Sequence, residues 1–156
     1  MLADNGGPTL THALLAGSLV GLFIAGGATF SAEVGGCQAE CGSGSGMAAA
    51  ALVSLLGGSL EQSMSAASQA LQNSLGMICD PVAARVEAPC LGKNISSAAN
   101  ALTCANMAMA GYDHLIPLDE VMETMNEVGA SLPRSLRCTA LGGLSITPAA
   151  KEIEKN

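Results

Sequence analysis

Six cysteines, at positions 37, 41, 79, 90, 104 and 138, are the side chains of this sequence best suited to chemistry. Cys37, Cys79 and Cys90 fall in Gly- or Pro-bearing segments between long apolar stretches. An even number of cysteines could form disulfides, but the sequence shows no convincing export signal, so we expect reduced thiols. Sulfur ligands grouped on loops suit zinc or an iron–sulfur cluster.

The other candidate residues carry weaker signals. Cys41 follows Cys37 by four residues and could meet it on one helical face, yet CxxxC in a Gly-rich context is common by chance. Cys104 lies in an Ala- and Met-rich run, where a buried thiol behaves as a small hydrophobe. We predict that His12 and His114 are structural or solvated rather than catalytic.

Apolar residues at helical spacing predict the elements that position these cysteines. Helices are predicted over residues 9–30, 47–56, 59–76, 95–110 and 118–128. Residues 31–46 and 77–94, rich in Gly, Ser or Pro, are predicted to be irregular and to carry the site cysteines. From Ser131 we expect irregular chain, with a frayed end at KEIEKN. The prediction is an all-α single domain over residues 1–156, a compact bundle of apolar helices with two irregular cysteine-bearing loops.

The composition predicts close helix packing and a covered surface. It is 49% hydrophobic but only 2% aromatic and 12% charged, with 19 glycines, so small side chains must fill the core. The charged fraction is about half of the roughly 25% usual for soluble domains, which favours a surface covered by a partner. The net charge of -7 and the absence of a basic run argue against a nucleic-acid partner.

The stretch from Thr9 to Phe30 is almost uncharged and long enough to span a bilayer. No Lys or Arg flanks it and four glycines interrupt it, which weakens the case for a signal peptide or a membrane anchor. We therefore expect no membrane association, but a helix buried on all sides in a cytoplasmic protein.

The segments around the cysteines resemble the alpha chain of iron–sulfur-dependent L-serine dehydratases. SAEVGGCQAECGSGSGMAAAA, LGMICDPV, VEAPC, MAMAG, DEVMETM and TALGGL occur in the family's order. Cys79 follows Cys37 by 42 residues and Cys90 follows Cys79 by 11, as in the family. Three cysteine-bearing segments in order are a specific signal. The chain resembles the cluster-binding C-terminal half of that alpha chain.

The resemblance implies a 4Fe-4S cluster with Cys37, Cys79 and Cys90 as its metal ligands and one iron open to substrate. The implied reaction, part of serine metabolism and gluconeogenesis, converts L-serine to pyruvate and ammonia, with the open iron as Lewis acid. The base is expected from a partner domain, the beta chain, and further substrate contacts from an N-terminal alpha-chain portion absent here. An oligomer, inactive without these partners, is therefore expected.

Two questions stay open at this point. The amides of Gly42 to Gly46, with Ser43 and Ser45, could hold the substrate carboxylate where a helix opens at Met47, or could simply cap that helix.

Ala84 and Cys138 depart from the family's pattern, which bears on turnover more than on cluster binding. The absent N-terminal portion would fit a truncated chain, a split gene or a decayed copy. The alternatives are a non-catalytic iron–sulfur or zinc protein, as a sensor or decayed fragment, and an L-cysteine desulfidase-like lyase.

Overall fold

A computed structural model describes residues 9–155 and shows an all-α protein, as predicted. Between these residues the chain forms seven α-helices, with one isolated bridge and no strand. Their bounds are α1 (Leu10–Gly27), α2 (Ala32–Gly35), α3 (Ser43–Leu55), α4 (Leu60–Gln72), α5 (Cys90–Met109), α6 (Leu118–Ser131) and α7 (Pro148–Ile153). A π-helical turn, Gln38–Gly42, joins α2 to α3, and 3-10 turns lie at Val82–Ala84, Arg134–Leu136 and Gly143–Ile146.

Helix α3 is the centre of the bundle and packs against α1, α4 and α5. Its buried face is built from small residues, among them Ala49, Ala50 and Val53. A Cβ added at Gly17 of α1 would lie 2.8 Å from the carbonyl oxygen of Met47, so the two helices touch at the backbone. The small residues therefore allow the close packing that the composition predicts.

Local signals explain where two of the helices begin. The Ser59 hydroxyl accepts from the Gln62 N–H at 3.1 Å, while the Gln62 side chain accepts from the Ser59 N–H at 2.9 Å, which completes the predicted capping box of α4. Pro117 precedes α6, whose predicted apolar stripe is buried at Leu118, Val121 and Met125.

The segments at the cysteines and at the C-terminus are more regular than predicted. Most of residues 31–46 lie in α2, the π-helical turn and the first turn of α3, which starts at Ser43 rather than at Met47. Helix α5 starts at Cys90, five residues before the predicted Ile95. The frayed end predicted for KEIEKN is wrong for residues 151–153, because Thr147 caps α7 by accepting from the Ala150 N–H.

Helix α1 is not buried on all sides, so that prediction is wrong. Only 28% of its apolar window is buried, on the face that meets α3 and α6. The bundle covers one side of α1 and leaves the other bare, because no further element of the described chain packs there. By length and composition α1 could cross a membrane, a property that it shares with signal sequences and with core helices of soluble proteins. Six large apolar side chains stand on its exposed surface: Leu10, Leu14, Leu15, Leu19, Leu22 and Phe23.

Candidate metal centre

The three predicted ligands, Cys37, Cys79 and Cys90, line one cavity of about 520 Å³. Each comes from a different element: Cys37 directly precedes the π-helical turn, Cys79 lies after α4, and Cys90 is the first residue of α5. Cys41 and Cys138 line the same cavity. Tertiary packing therefore gathers five thiols at one place.

The chain brings Cys37 beside the segment of Cys79 through a close backbone contact. Gly36 has a φ of 74°, a left-handed conformation that favours glycine, and a Cβ there would lie 2.8 Å from the carbonyl oxygen of Met77. The N–H of the next residue but one, Gln38, donates to the same carbonyl at 3.0 Å. The two cysteine-bearing segments are thus joined at the backbone.

The side chain of Gln38 stabilises this junction by two hydrogen bonds in the interior of the protein. It is fully buried. Its Oε1 accepts from the Gly76 N–H at 2.9 Å, and its Nε2 donates to the Met125 carbonyl at 2.8 Å. One amide thereby ties the π-helical turn to the segment before Cys79 and to α6, with both of its polar ends satisfied.

The C-terminal segment runs alongside Cys79. The Cys79 N–H donates to the Leu136 carbonyl at 2.8 Å, and the Cys138 N–H donates to the Cys79 carbonyl at 2.9 Å. These bonds form an isolated parallel bridge between Cys79 and Arg137. Cys138 packs against the buried cluster that includes Cys79.

A buried ion pair connects the segment of Cys79 to the helix of Cys90. Lys93, one turn after Cys90, donates from Nζ to Asp80 Oδ1 and to the Ile78 carbonyl, both at 2.6 Å. The other carboxylate oxygen of Asp80 accepts from the Leu144 N–H at 2.8 Å. We call this arrangement of Lys93, Asp80 and their backbone partners the Lys93 clamp.

Burial governs the charge state of the thiols. It raises the pKa of Cys37 to about 11, although the contact with Cys79 and the charge of Lys93 oppose the rise. Burial is also the main cause that raises the pKa of Cys79 and of Cys90. Burial therefore favours the neutral thiols of Cys37, Cys79 and Cys90, and a metal would have to displace their protons.

The charge of Lys93 acts on the thiols of Cys37, Cys41 and Cys90. Burial lowers the pKa of Lys93, but the hydrogen bond to Asp80 and the Coulombic effect of Cys37 outweigh burial, so the pKa is raised overall. Lys93 is therefore an ammonium ion over the physiological range, and its charge favours thiolate at Cys37 and Cys90.

The comparison with known proteins assigns the chain to a family. The family model described as "Serine dehydratase alpha chain" matches residues 3–145. This chain belongs to the serine dehydratase alpha chain family. The predicted family resemblance is thereby confirmed.

The names of individual relatives of this chain agree with the family model. The chain is 50% identical to the "Probable L-serine dehydratase, alpha chain" of Bacillus subtilis over 135 residues, which cover 86% of this chain and 45% of that protein. It is 46% identical to the "L-serine dehydratase, alpha chain" of Peptoniphilus asaccharolyticus, covering 95% of this chain and 51% of that protein. It is 41% identical to the "L-serine dehydratase" of Mycobacterium bovis, covering 94% and 32%. The chain spans about half the length, or less, of these relatives.

The donor set of the cavity fits an iron–sulfur cluster. Thiolates are the soft ligands that iron–sulfur clusters and zinc prefer. Among residues 9–155, no three His, Cys, Asp or Glu side chains converge closely enough to hold a single metal ion. Cys37, Cys79 and Cys90 line one space, so the thiols that such a cluster would need are grouped at one place.

Sequence reasoning missed several residues of the cavity and its wall. The carboxylate-bearing Glu33 and Glu40 line it, and only their closeness in sequence to Cys37 could have drawn attention to them. The cavity lining includes neither histidine. His12 is exposed on α1, and the Nδ1 atom of His114 lies 3.7 Å from Oδ1 of Asp113.

Ser43 and Ser45 are buried and do not line the cavity. The Ser45 hydroxyl donates to the Ser97 carbonyl at 2.8 Å and accepts from Asn100 at 3.0 Å, whereas the Ser43 hydroxyl has no protein partner. The amides around them continue from the π-helical turn into α3, so they are not a free helix end. Their role in holding the substrate carboxylate stays a prediction, without a contact in support.

Proposed function

We propose that this chain is the cluster-binding part of an L-serine dehydratase, which converts L-serine to pyruvate and ammonia. One observation carries the proposal: Cys37, Cys79 and Cys90 line a single cavity in a member of the serine dehydratase alpha chain family. These cysteines would hold a 4Fe-4S cluster. The names of the Bacillus and Peptoniphilus relatives support L-serine as the substrate.

The elimination requires a bound Lewis acid and a cavity that accommodates negative charge. A cluster held by Cys37, Cys79 and Cys90 would supply Lewis-acid chemistry for the departure of hydroxide, a poor leaving group. Lys93 places its ammonium beside the cavity and offsets part of the negative charge that thiolate ligands bring. Phe30, Pro81 and Val86 give the cavity apolar walls, which reduce the water around a bound substrate.

The elimination also needs a base for the α proton of serine. Since neither histidine lines the cavity, we propose that the base comes from a beta chain. The carboxylates of Glu33 and Glu40 are the candidates that this chain itself offers. Once the α proton and the hydroxyl group have left, the enamine tautomerises and hydrolyses in water to pyruvate and ammonia.

The bare face of α1 is evidence that a partner covers it. Its six exposed apolar side chains form a surface that a monomer in water rarely leaves open. Because this chain covers only 45% and 51% of two relatives, we assign this face to the further alpha-chain portion that those relatives possess. The working enzyme would then be an oligomer with a beta chain. All six cysteines are free thiols, which fits a cytoplasmic location.

Anaerobic reconstitution with iron and sulfide tests the site. The wild-type chain should take up about four iron atoms, with the Mössbauer signature of a 4Fe-4S cluster. Cys37→Ala, Cys79→Ala and Cys90→Ala should each reduce the uptake. Cys104→Ala is the matched control, because Cys104 is fully buried in the α3–α4–α5 core and lies outside the cavity. Equal uptake by wild type and Cys37→Ala would reject the ligand set.

Turnover is tested after the loaded chain is combined with the further alpha-chain portion and a beta chain of the Peptoniphilus relative. L-serine should then yield pyruvate. Sulfide release from L-cysteine in preference to pyruvate from L-serine would identify a desulfidase-like lyase instead. A loaded cluster without either product would identify a non-catalytic cluster protein.

A further inference from the structure

We propose that Cys79 and Cys138 form a reversible disulfide when the cavity holds no metal, and that this bond blocks cluster insertion. The disulfide itself follows from the contacts of this chain. Its effect on the cluster rests on the proposed function, in which Cys79 is a ligand. Cys138 would then be the oxidant-sensing residue of the site.

A backbone hydrogen bond holds the two residues close together. The Cys138 N–H donates to the Cys79 carbonyl at 2.9 Å, within the parallel bridge of Cys79 and Arg137. Disulfides need about 4.4–6.8 Å between Cα atoms, so a direct backbone contact of this kind is what such a bond requires. Cys138 adopts a φ of 60°, both residues line the cavity, and Cys138 packs against the buried cluster that includes Cys79. An S–S bond therefore needs little movement of the chain.

Other thiols touch in the same cavity, but Cys138 is the one best placed to meet an oxidant. Cys37, Cys41 and Cys79 belong to one buried cluster. These three are at most 4% exposed, whereas Cys90 and Cys138 are partly exposed, and of these two only Cys138 packs against the cluster. Cys37 and Cys41 are also held by the helical turns of residues 37–42, while Cys138 lies outside helices. Oxidation should therefore begin at Cys138 and be completed by Cys79.

The oxidant is a peroxide, and the reaction balances in two steps. The Cys138 sulfur attacks one oxygen of hydrogen peroxide; the O–O bond breaks, leaving a sulfenic acid on Cys138 and one water. The Cys79 sulfur attacks the Cys138 sulfur; the S–O bond breaks, the S–S bond forms, and the released hydroxyl leaves as a second water with the proton of the Cys79 thiol. Two sulfurs lose two electrons in total, and the two peroxide oxygens gain them. A dithiol reductant reverses the change.

Peptide mapping of the metal-free 156-residue chain tests the bond. After hydrogen peroxide and alkylation, the peptides of Cys79 and Cys138 should be linked, with a mass about 2 Da below their sum. Cys138→Ser should abolish the link, while Cys104→Ala should leave it intact; circular dichroism checks that each variant is helical. A wild-type chain in which the disulfide joins Cys37 to Cys41 or to Cys79 instead would overturn the proposal.

Iron uptake by the oxidised chain tests the consequence. The oxidised wild type should take up less than about one tenth of the iron bound by the reduced chain, and dithiothreitol should restore the uptake. Cys138→Ser treated with peroxide should retain most of its uptake without a reductant. If the link forms but the reduced chain binds no cluster, the proposed function fails and the disulfide stands. If the reduced chain binds a cluster but no link forms, the disulfide alone is rejected.

Discussion

Breaking the Lys93 clamp should cost this protein a large part of its stability. Lys93→Met keeps the length of the side chain but removes the ammonium ion from Asp80 Oδ1 and from the Ile78 carbonyl, both 2.6 Å away. The Asp80 side chain is only 3% exposed and would keep one hydrogen bond, from the Leu144 N–H. Removing one partner of a buried ion pair costs about 3–5 kcal/mol. Since the Lys93 side chain is 18% exposed, we expect the lower end, about 3 kcal/mol.

Urea unfolding followed by far-ultraviolet circular dichroism measures this loss. The double variant Asp80→Asn with Lys93→Met should be less destabilised than the sum of the single variants, because it leaves no buried charge without a partner. Lys155→Met is the control: Lys155 pairs with Glu152 at the surface, so its loss should stay within about 0.5 kcal/mol. If Lys93→Met changed the free energy of unfolding no more than Lys155→Met, the clamp would not stabilise the fold.

Three further predictions concern the junction, the C-terminal turn and the bare helix face. Gln38→Leu should lower the free energy of unfolding in urea by about 1–3 kcal/mol, because the buried Met125 carbonyl loses a partner, while the N–H of the exposed Gly76 can bind water instead. Gly143→Ala should cost about 1–3 kcal/mol in the same assay, because φ is 60° and the new Cβ would lie 2.6 Å from Asp80 Oδ2. Leu14→Asn with Leu22→Asn should leave stability nearly unchanged but weaken co-purification with the further alpha-chain portion of the Peptoniphilus relative, since both leucines are exposed.

A control variant and the contrary results test two of these predictions. Gly92→Ala, in the first turn of α5 where a new Cβ meets nothing within 4 Å, should not destabilise the chain. A loss as large as that of Gly143→Ala would show that the cost does not come from the left-handed turn. Undiminished co-purification of the Leu14 and Leu22 double variant would contradict the assignment of the bare face of α1.

The helices could be read from the sequence where short-range physics decides them. Ser59 and Gln62 stand three residues apart, so the capping box of α4 needs no knowledge of the fold. The apolar stripe of α6 is equally local. The regular turns between Ser31 and Gly46 could not be predicted, because tertiary contacts stabilise them, above all the buried amide of Gln38. Apolar periodicity also could not reveal that α1 keeps one face bare, since hydropathy does not report which element packs beside a helix.

The sequence by itself determined the all-α fold, the family, and the choice of Cys37, Cys79 and Cys90 as one set, because these depend on periodicity and on ordered segments. Only the tertiary structure placed these thiols around one cavity. Only the tertiary structure brings Cys138 into contact with Cys79, which lies 59 residues earlier in the chain. It also pairs Lys93 with Asp80, which lies before a turn of the chain. The physical reason is that such contacts depend on how whole segments pack, and no local pattern of residue types encodes that distance.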